Sequence, residues 1–171
     1  MRLQLTAPGF ALALGLALGL AMPAPGVAAD AVTVGQPAPD FALKDTAGNN
    51  QRLSEWRGEV VLLAFWAEWC GRCSDQRRQL EELQSAWAGR GVRVVTVNID
   101  RDAAAARDAA AGSKILVLRD SEQAVARQYA LAELPLTLVV DPHGKVRHVH
   151  EKYRGGDAAL YDEEVAALLK E

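Results

Sequence analysis

Cys70 and Cys73 stand at the joint between two strongly patterned segments, and that joint constrains the chain more than any other feature of it. Before it runs Val60 to Trp66 (VVLLAFW), unbroken in apolar character and rich in β-branched and aromatic residues. Such a run predicts a strand buried on both faces. After the joint, from about Cys73 to Ala88, Leu80, Leu83 and Trp87 recur at helical spacing among charged residues, predicting an amphipathic helix that Gly89 and Gly91 end. A strand that hands over directly to a helix leaves unpaired backbone N–H groups and the positive end of the helix dipole at the joint. Both favour an anion, and Arg72 adds a positive charge, so Cys70 is expected to ionise more readily than a free thiol. Cys73 falls one turn further on, on the same helix face, where i and i+3 side chains are neighbours. That spacing suits a two-step exchange in which Cys70 attacks a disulfide and Cys73 resolves the mixed intermediate.

The cysteine count narrows the reading further. The chain of 171 residues holds only these two cysteines. A bridge between them closes a very small loop and removes little entropy from the unfolded chain, so it is a poor structural staple. A structural zinc site needs about four ligands, and the second half of such a site is missing. A working redox pair is the reading that remains.

The N-terminal stretch has the layout of a secretory signal peptide. Arg2 supplies a positive start, Phe10 to Met22 is apolar or glycine throughout, Pro23 and Pro25 interrupt it, and Val27-Ala28-Ala29 offers small residues for cleavage. The apolar run is shorter than the ~20 residues a membrane-crossing helix needs, which makes an uncleaved anchor the weaker alternative. Residues 1–29 are therefore expected to be a signal peptide and 30–171 a single domain outside the cytoplasm, in the periplasm. The formal net charge is −3, with both signs interspersed and no basic block, so no nucleic-acid partner is expected.

Along the remaining chain, Val34 to Leu43 reads as an extended lead-in, and Asp45 to Asn49 as a turn with Gln51-Arg52-Leu53 as the second arm of a hairpin. Strands are expected at Val92 to Ile99, Ile115 to Leu118 and Leu136 to Val140. The last of these turns through Asp141-Pro142-His143-Gly144 into a partner strand, Lys145 to His150. Helices are expected over Asp102 to Ala111, from a Ser121 cap to about Leu131, and from Asp157 to Leu169. The order predicts an α/β fold: a mixed central sheet flanked by helices, with an N-terminal β-hairpin extension.

The segment Phe65-Trp66-Ala67-Glu68-Trp69-Cys70-Gly71-Arg72-Cys73 resembles the active-site segment of thioredoxins. The lead-in Gly35-Gln36-Pro37-Ala38-Pro39-Asp40-Phe41, with Leu53 and Arg57-Gly58, is similar more specifically to the exported TlpA/ResA-like branch. So is Leu134-Pro135-Leu136-Thr137-Leu138-Val139-Val140-Asp141 with Gly144-Lys145-Val146. The resemblance implies a thioredoxin fold and a thiol-disulfide oxidoreductase that needs no cofactor beyond a Cys70–Cys73 disulfide. Its implied partners are cysteine-containing exported proteins, with cytochrome c maturation as the candidate pathway, and a DsbD-type membrane electron donor; a monomer is expected. It also implies that Pro135 follows a cis bond opposite the cysteines. Trp69, Gly71, Arg72, Leu134 and Pro135 are then the residues expected to tune the potential or hold substrate.

Departures from the family pattern fall around Cys73. Ala64 stands where thioredoxins carry a buried Asp, Gln76 where ResA-like members carry Glu, and Arg78 where a helix-kinking Pro is usual. With those groups absent, Glu68 and Glu133 are the candidate proton relays, though a solvated role is the more ordinary one for each. Trp66 is expected in the core and Trp69 as an exposed wall. His148 and His150 are expected to share one strand face as solvated side chains, with no metal site. Two other readings stay in view: a copper-carrying chaperone using the cysteines and a histidine, and a thiol peroxidase. The peroxidase would need hydroxyl donors where this chain has Trp66 and Ala67.

Overall fold

The computed structural model describes residues 32–171, so the expected signal peptide at 1–29 lies outside the described residues. Seven strands form one sheet: β1 (Ala42–Asp45), β2 (Asn50–Arg52), β3 (Val60–Trp66), β4 (Val92–Asn98), β5 (Leu116–Arg119), β6 (Leu136–Val140) and β7 (Val146–Glu151), in the spatial order β2-β1-β5-β4-β3-β6-β7. β3, β4 and β5 run parallel, while β6, β7, β1 and β2 pair antiparallel with their neighbours. The helices are α1 (Cys73–Trp87), α2 (Ala103–Ala110), α3 (Ala124–Gln128) and α4 (Asp157–Leu168).

β3 is the centre of the molecule, and every residue in it is buried. Its alternating side chains feed opposite layers, as strand geometry requires. Val61, Leu63 and Phe65 pack with Phe41, Trp56, Val125 and Tyr129 on one face. Val60, Leu62 and Ala64 pack with Leu80, Leu83 and Trp87 of α1 and Tyr161, Val165 and Leu168 of α4 on the other. The apolar stripe read from Leu80, Leu83 and Trp87 is therefore the buried stripe of α1. Past α1 the chain turns at Gly89 and Gly91, with φ of 74° and 75°, values that L side chains disfavour.

Three local expectations need correcting. Leu53 leaves the hairpin and opens a short 3-10 turn, Leu53–Trp56, because burying Leu53 and Trp56 under β3 outweighs extending the arm. The N-cap position of α3 is Gln123, not Ser121, and the helix-start donors are satisfied by Asp120, whose carboxylate accepts from the backbone N–H groups of Ala124 at 2.9 Å and Ala126 at 2.8 Å. Two carboxylate oxygens satisfy two helix-start donors, which one hydroxyl oxygen does less well. The helix also ends at Gln128 and not near Leu131, with Ala130 at a positive φ of 48°.

Candidate active site

The joint between β3 and α1 is a tight loop. The Cys70 N–H donates to the Ala67 carbonyl and the Cys73 N–H to the Cys70 carbonyl, each at 3.1 Å, so the turn that carries the cysteines leads straight into the helix. Cys70 and Cys73 are joined by a disulfide, with 5.4 Å between their Cα atoms. The two sulfurs have unlike surroundings. Cys70 is half-buried at the rim, whereas Cys73 is 1% exposed and packs with Trp66, Ala106 and Val117. Trp66 is core and Trp69 is 70% exposed.

Pro135 lies at the start of β6 after a cis bond from Leu134. Leu134 is half-buried and packs against the same apolar cluster as the cysteines. Trp69, Ile99, Leu131, Ala132, Glu133 and Leu134 line an open groove of about 370 Å³ beside the disulfide. Gly71 is exposed, and the space where a Cβ would stand is open, so nothing in its surroundings requires glycine. The Arg72 guanidinium reaches toward α4, donating to the Tyr153 carbonyl at 3.4 Å.

Of the candidate relays, Glu68 lines a pocket with Cys70 and Glu133 lines the groove with Trp69. Glu68 and Glu133 are both exposed, and the Glu133 carboxylate pairs with Lys152 at 3.1 Å. The polar groups buried on the Cys73 side of α1 are instead Gln76, Thr137 and Tyr161. Gln76 Nε2 donates to Thr137 Oγ1 at 2.8 Å and to Tyr161 Oη at 3.3 Å. Ala64 pairs with Thr137 across β3 and β6, so this neutral cluster occupies the region where an acidic side chain on β3 would project. Burial raises the Tyr161 pKa above the usual tyrosine value, and the hydroxyl stays protonated.

Several contributors were not visible as site residues in the sequence. The Arg77 guanidinium lies 4.2 Å from the centroid of Trp66 and donates to the Ala109 carbonyl at 3.0 Å, clamping α1 to α2 beside the disulfide. Asp100 accepts the Glu68 backbone N–H at 2.8 Å and an Asn98 Nδ2 hydrogen at 2.7 Å, which holds the loop before Trp69. Only their position next to the motif's loop could have pointed to them. His148 and His150 do share one face, with rings 6.2 Å apart; the His148 side chain stays 39% exposed, whereas that of His150 is largely covered. Both bind Glu164, at 3.2 and 2.8 Å, and His150 packs on Tyr161. Among the described residues, no group of three or more His, Cys, Asp or Glu side chains is arranged to hold a metal ion.

The chain has relatives with this arrangement. Residues 34–149 match the model of the AhpC/TSA family. The thiol-disulfide oxidoreductase ResA of Geobacillus kaustophilus is 33% identical over 121 residues, covering 70% of each chain. The crystal structure assigned to a thiol:disulfide interchange protein DsbE of Chlorobium tepidum superposes with a TM-score of 0.76 at 31% identity, covering 81% of this chain and 99% of that one. An exposed lipoprotein thioredoxin of Streptococcus pneumoniae superposes with a TM-score of 0.63 at 27% identity, over 74% and 98% of the respective chains.

Proposed function

The chain belongs to the AhpC/TSA family in its thioredoxin-fold, ResA-like form, and from that premise we propose that it is a reductase of disulfides in exported proteins. Its class is thiol-disulfide oxidoreductase; the direction, the compartment and the partners are the proposal. The observation that carries it is the Cys70–Cys73 disulfide at the start of α1, one sulfur at the surface and the other buried.

In the reducing direction the Cys70 thiolate attacks one sulfur of a partner disulfide, forming a Cys70–partner bond and releasing a partner thiolate. The Cys73 thiolate then attacks the Cys70 sulfur and expels the second partner thiolate. The partner gains two electrons, and the chain ends as the Cys70–Cys73 disulfide. No cofactor enters either step. A membrane donor of the DsbD type would return two electrons and regenerate the dithiol. Partners are cysteine-containing exported proteins, with cytochrome c maturation the pathway that the likeness to ResA and DsbE suggests. The apolar N-terminal run supports export to the periplasm. A peroxidase reading has less support, because Trp66 and Ala67 are buried beside the cysteines and carry no hydroxyl to polarise a peroxide.

Equilibration against glutathione buffers tests the direction. A reductase should titrate nearer the about −270 mV of thioredoxin than the about −120 mV of the oxidant DsbA. A value near the latter would reverse the assignment.

A further inference from the structure

A second cleft, of about 460 Å³, opens on the Arg72 side of the disulfide, between the first turns of α1 and the loop that joins β7 to α4. Arg72, Arg78, Arg154, Asp75, Gln79 and Tyr153 line it. Three guanidinium groups thus face one carboxylate, in a chain whose formal net charge is −3. Arg78 is held by Asp75 at 2.8 Å, with both side chains well exposed. Among the described residues Arg72 and Arg154 form no ion pair. The bond from Arg72 to the Tyr153 carbonyl, at 3.4 Å, is long for an N–H donor and leaves most of its fork unused. The nearby carboxylate of Asp157 accepts the backbone N–H of Arg154 at 2.6 Å. On the floor, the buried Tyr153 hydroxyl and Gln79 side chain face each other, short of full hydrogen-bond geometry. Two guanidinium forks without acids, side by side in one cleft, make an arrangement that is completed by a planar anion.

Resting on the oxidoreductase reading above, we propose that this cleft binds a carboxylate of the substrate, so that the preferred partner is a protein disulfide flanked within a few residues by Asp or Glu. Arg72 is two residues from Cys70, which places the anion site within reach of an extended segment whose cysteine is bonded to Cys70. Carboxylate fits the guanidinium fork in a bidentate manner. The arginines are exposed, so the preference is modest and falls with salt.

The test uses the reduced full chain and three disulfide peptides that differ only in flanking Glu, Gln or Lys, with glutathione disulfide as a fourth substrate. At low ionic strength kcat/KM should fall in the order Glu, Gln, Lys, with about a fivefold gap between the first two. The double variant Arg78→Gln, Arg154→Gln should bring the Glu-to-Gln ratio close to one, as should high salt. Equal rates with the Glu and Gln peptides, or a ratio that the double variant leaves intact, would overturn the inference while leaving the oxidoreductase reading in place. A double variant that slows glutathione disulfide but leaves the Glu-to-Gln ratio of the peptides intact would overturn the assignment to a protein side chain. No exchange with any of the four would remove the oxidoreductase reading itself, and this one with it.

Discussion

Cys70 and Cys73 share one bond and sit in different media. The Cys70 end faces the loop that carries the exposed Trp69 and Arg72. The Cys73 end faces Trp66, Ala106 and Val117, with a neutral Gln76–Thr137–Tyr161 cluster one turn further along the helix. Burial penalises a thiolate, whereas the helix start and a rim position favour one. Three residues of separation at the beginning of a helix therefore suffice to divide attack from resolution. The buried end is fixed by packing against β3, α2 and β5; the exposed end is free to vary with the partner.

The division can be broken most completely at the sulfurs. Cys70→Ser should abolish exchange, whereas Cys73→Ser should leave the attack and accumulate mixed disulfides, visible on non-reducing gels. Accumulation in the Cys70→Ser protein instead would invert the two ends.

Next in size is the buried side. Gln76→Ala strips Thr137 and Tyr161 of a shared donor and should cost about 1–3 kcal/mol in urea unfolding. Trp69→Ala, at the exposed end, should change stability by no more than about 0.5 kcal/mol. It should nonetheless slow exchange with protein substrates by removing a wall of the groove it shares with Leu131 and Leu134. Equal stability losses in the two variants would erase the contrast between the ends.

The smallest effect concerns Arg72. Arg72→Ala should raise the Cys70 pKa by about one unit or less, because solvent screens an exposed guanidinium, and the difference should shrink at high salt. Thiolate absorbance against pH measures it. Identical curves at low salt would leave the helix start as the cause of activation and would fit a guanidinium committed to the Tyr153 carbonyl.

The sequence made the exposed end more legible than the buried one. Motif spacing, the all-apolar β3 and the periodic α1 place Cys70, Cys73 and Trp69 without any tertiary information, since each depends on local pattern alone. Pro135 could be reached only through family likeness, because the place of the residues before β6 depends on the pairing of β6 with β3. The groups around Cys73 were not readable for the same reason: Thr137 and Tyr161 lie 61 and 85 residues after Gln76 in the chain. Glu68 and Glu133 drew notice because they are acidic and adjacent to motif residues. Both carboxylates stand at the surface. His148 and His150 show the converse: the period-2 pattern placed both on one face, but only the packing of α4 supplies Glu164 between them.

The central claim is that Cys70 is the nucleophile and Cys73 the resolving thiol. Its most direct test is the alkylation of the fully reduced protein at neutral pH, with the labelled peptides quantified by mass spectrometry over time. Cys70 should be modified first, by at least about tenfold in rate, with Cys73 protected until the helix start opens. Faster labelling of Cys73, or equal rates at the two sites, would contradict the account.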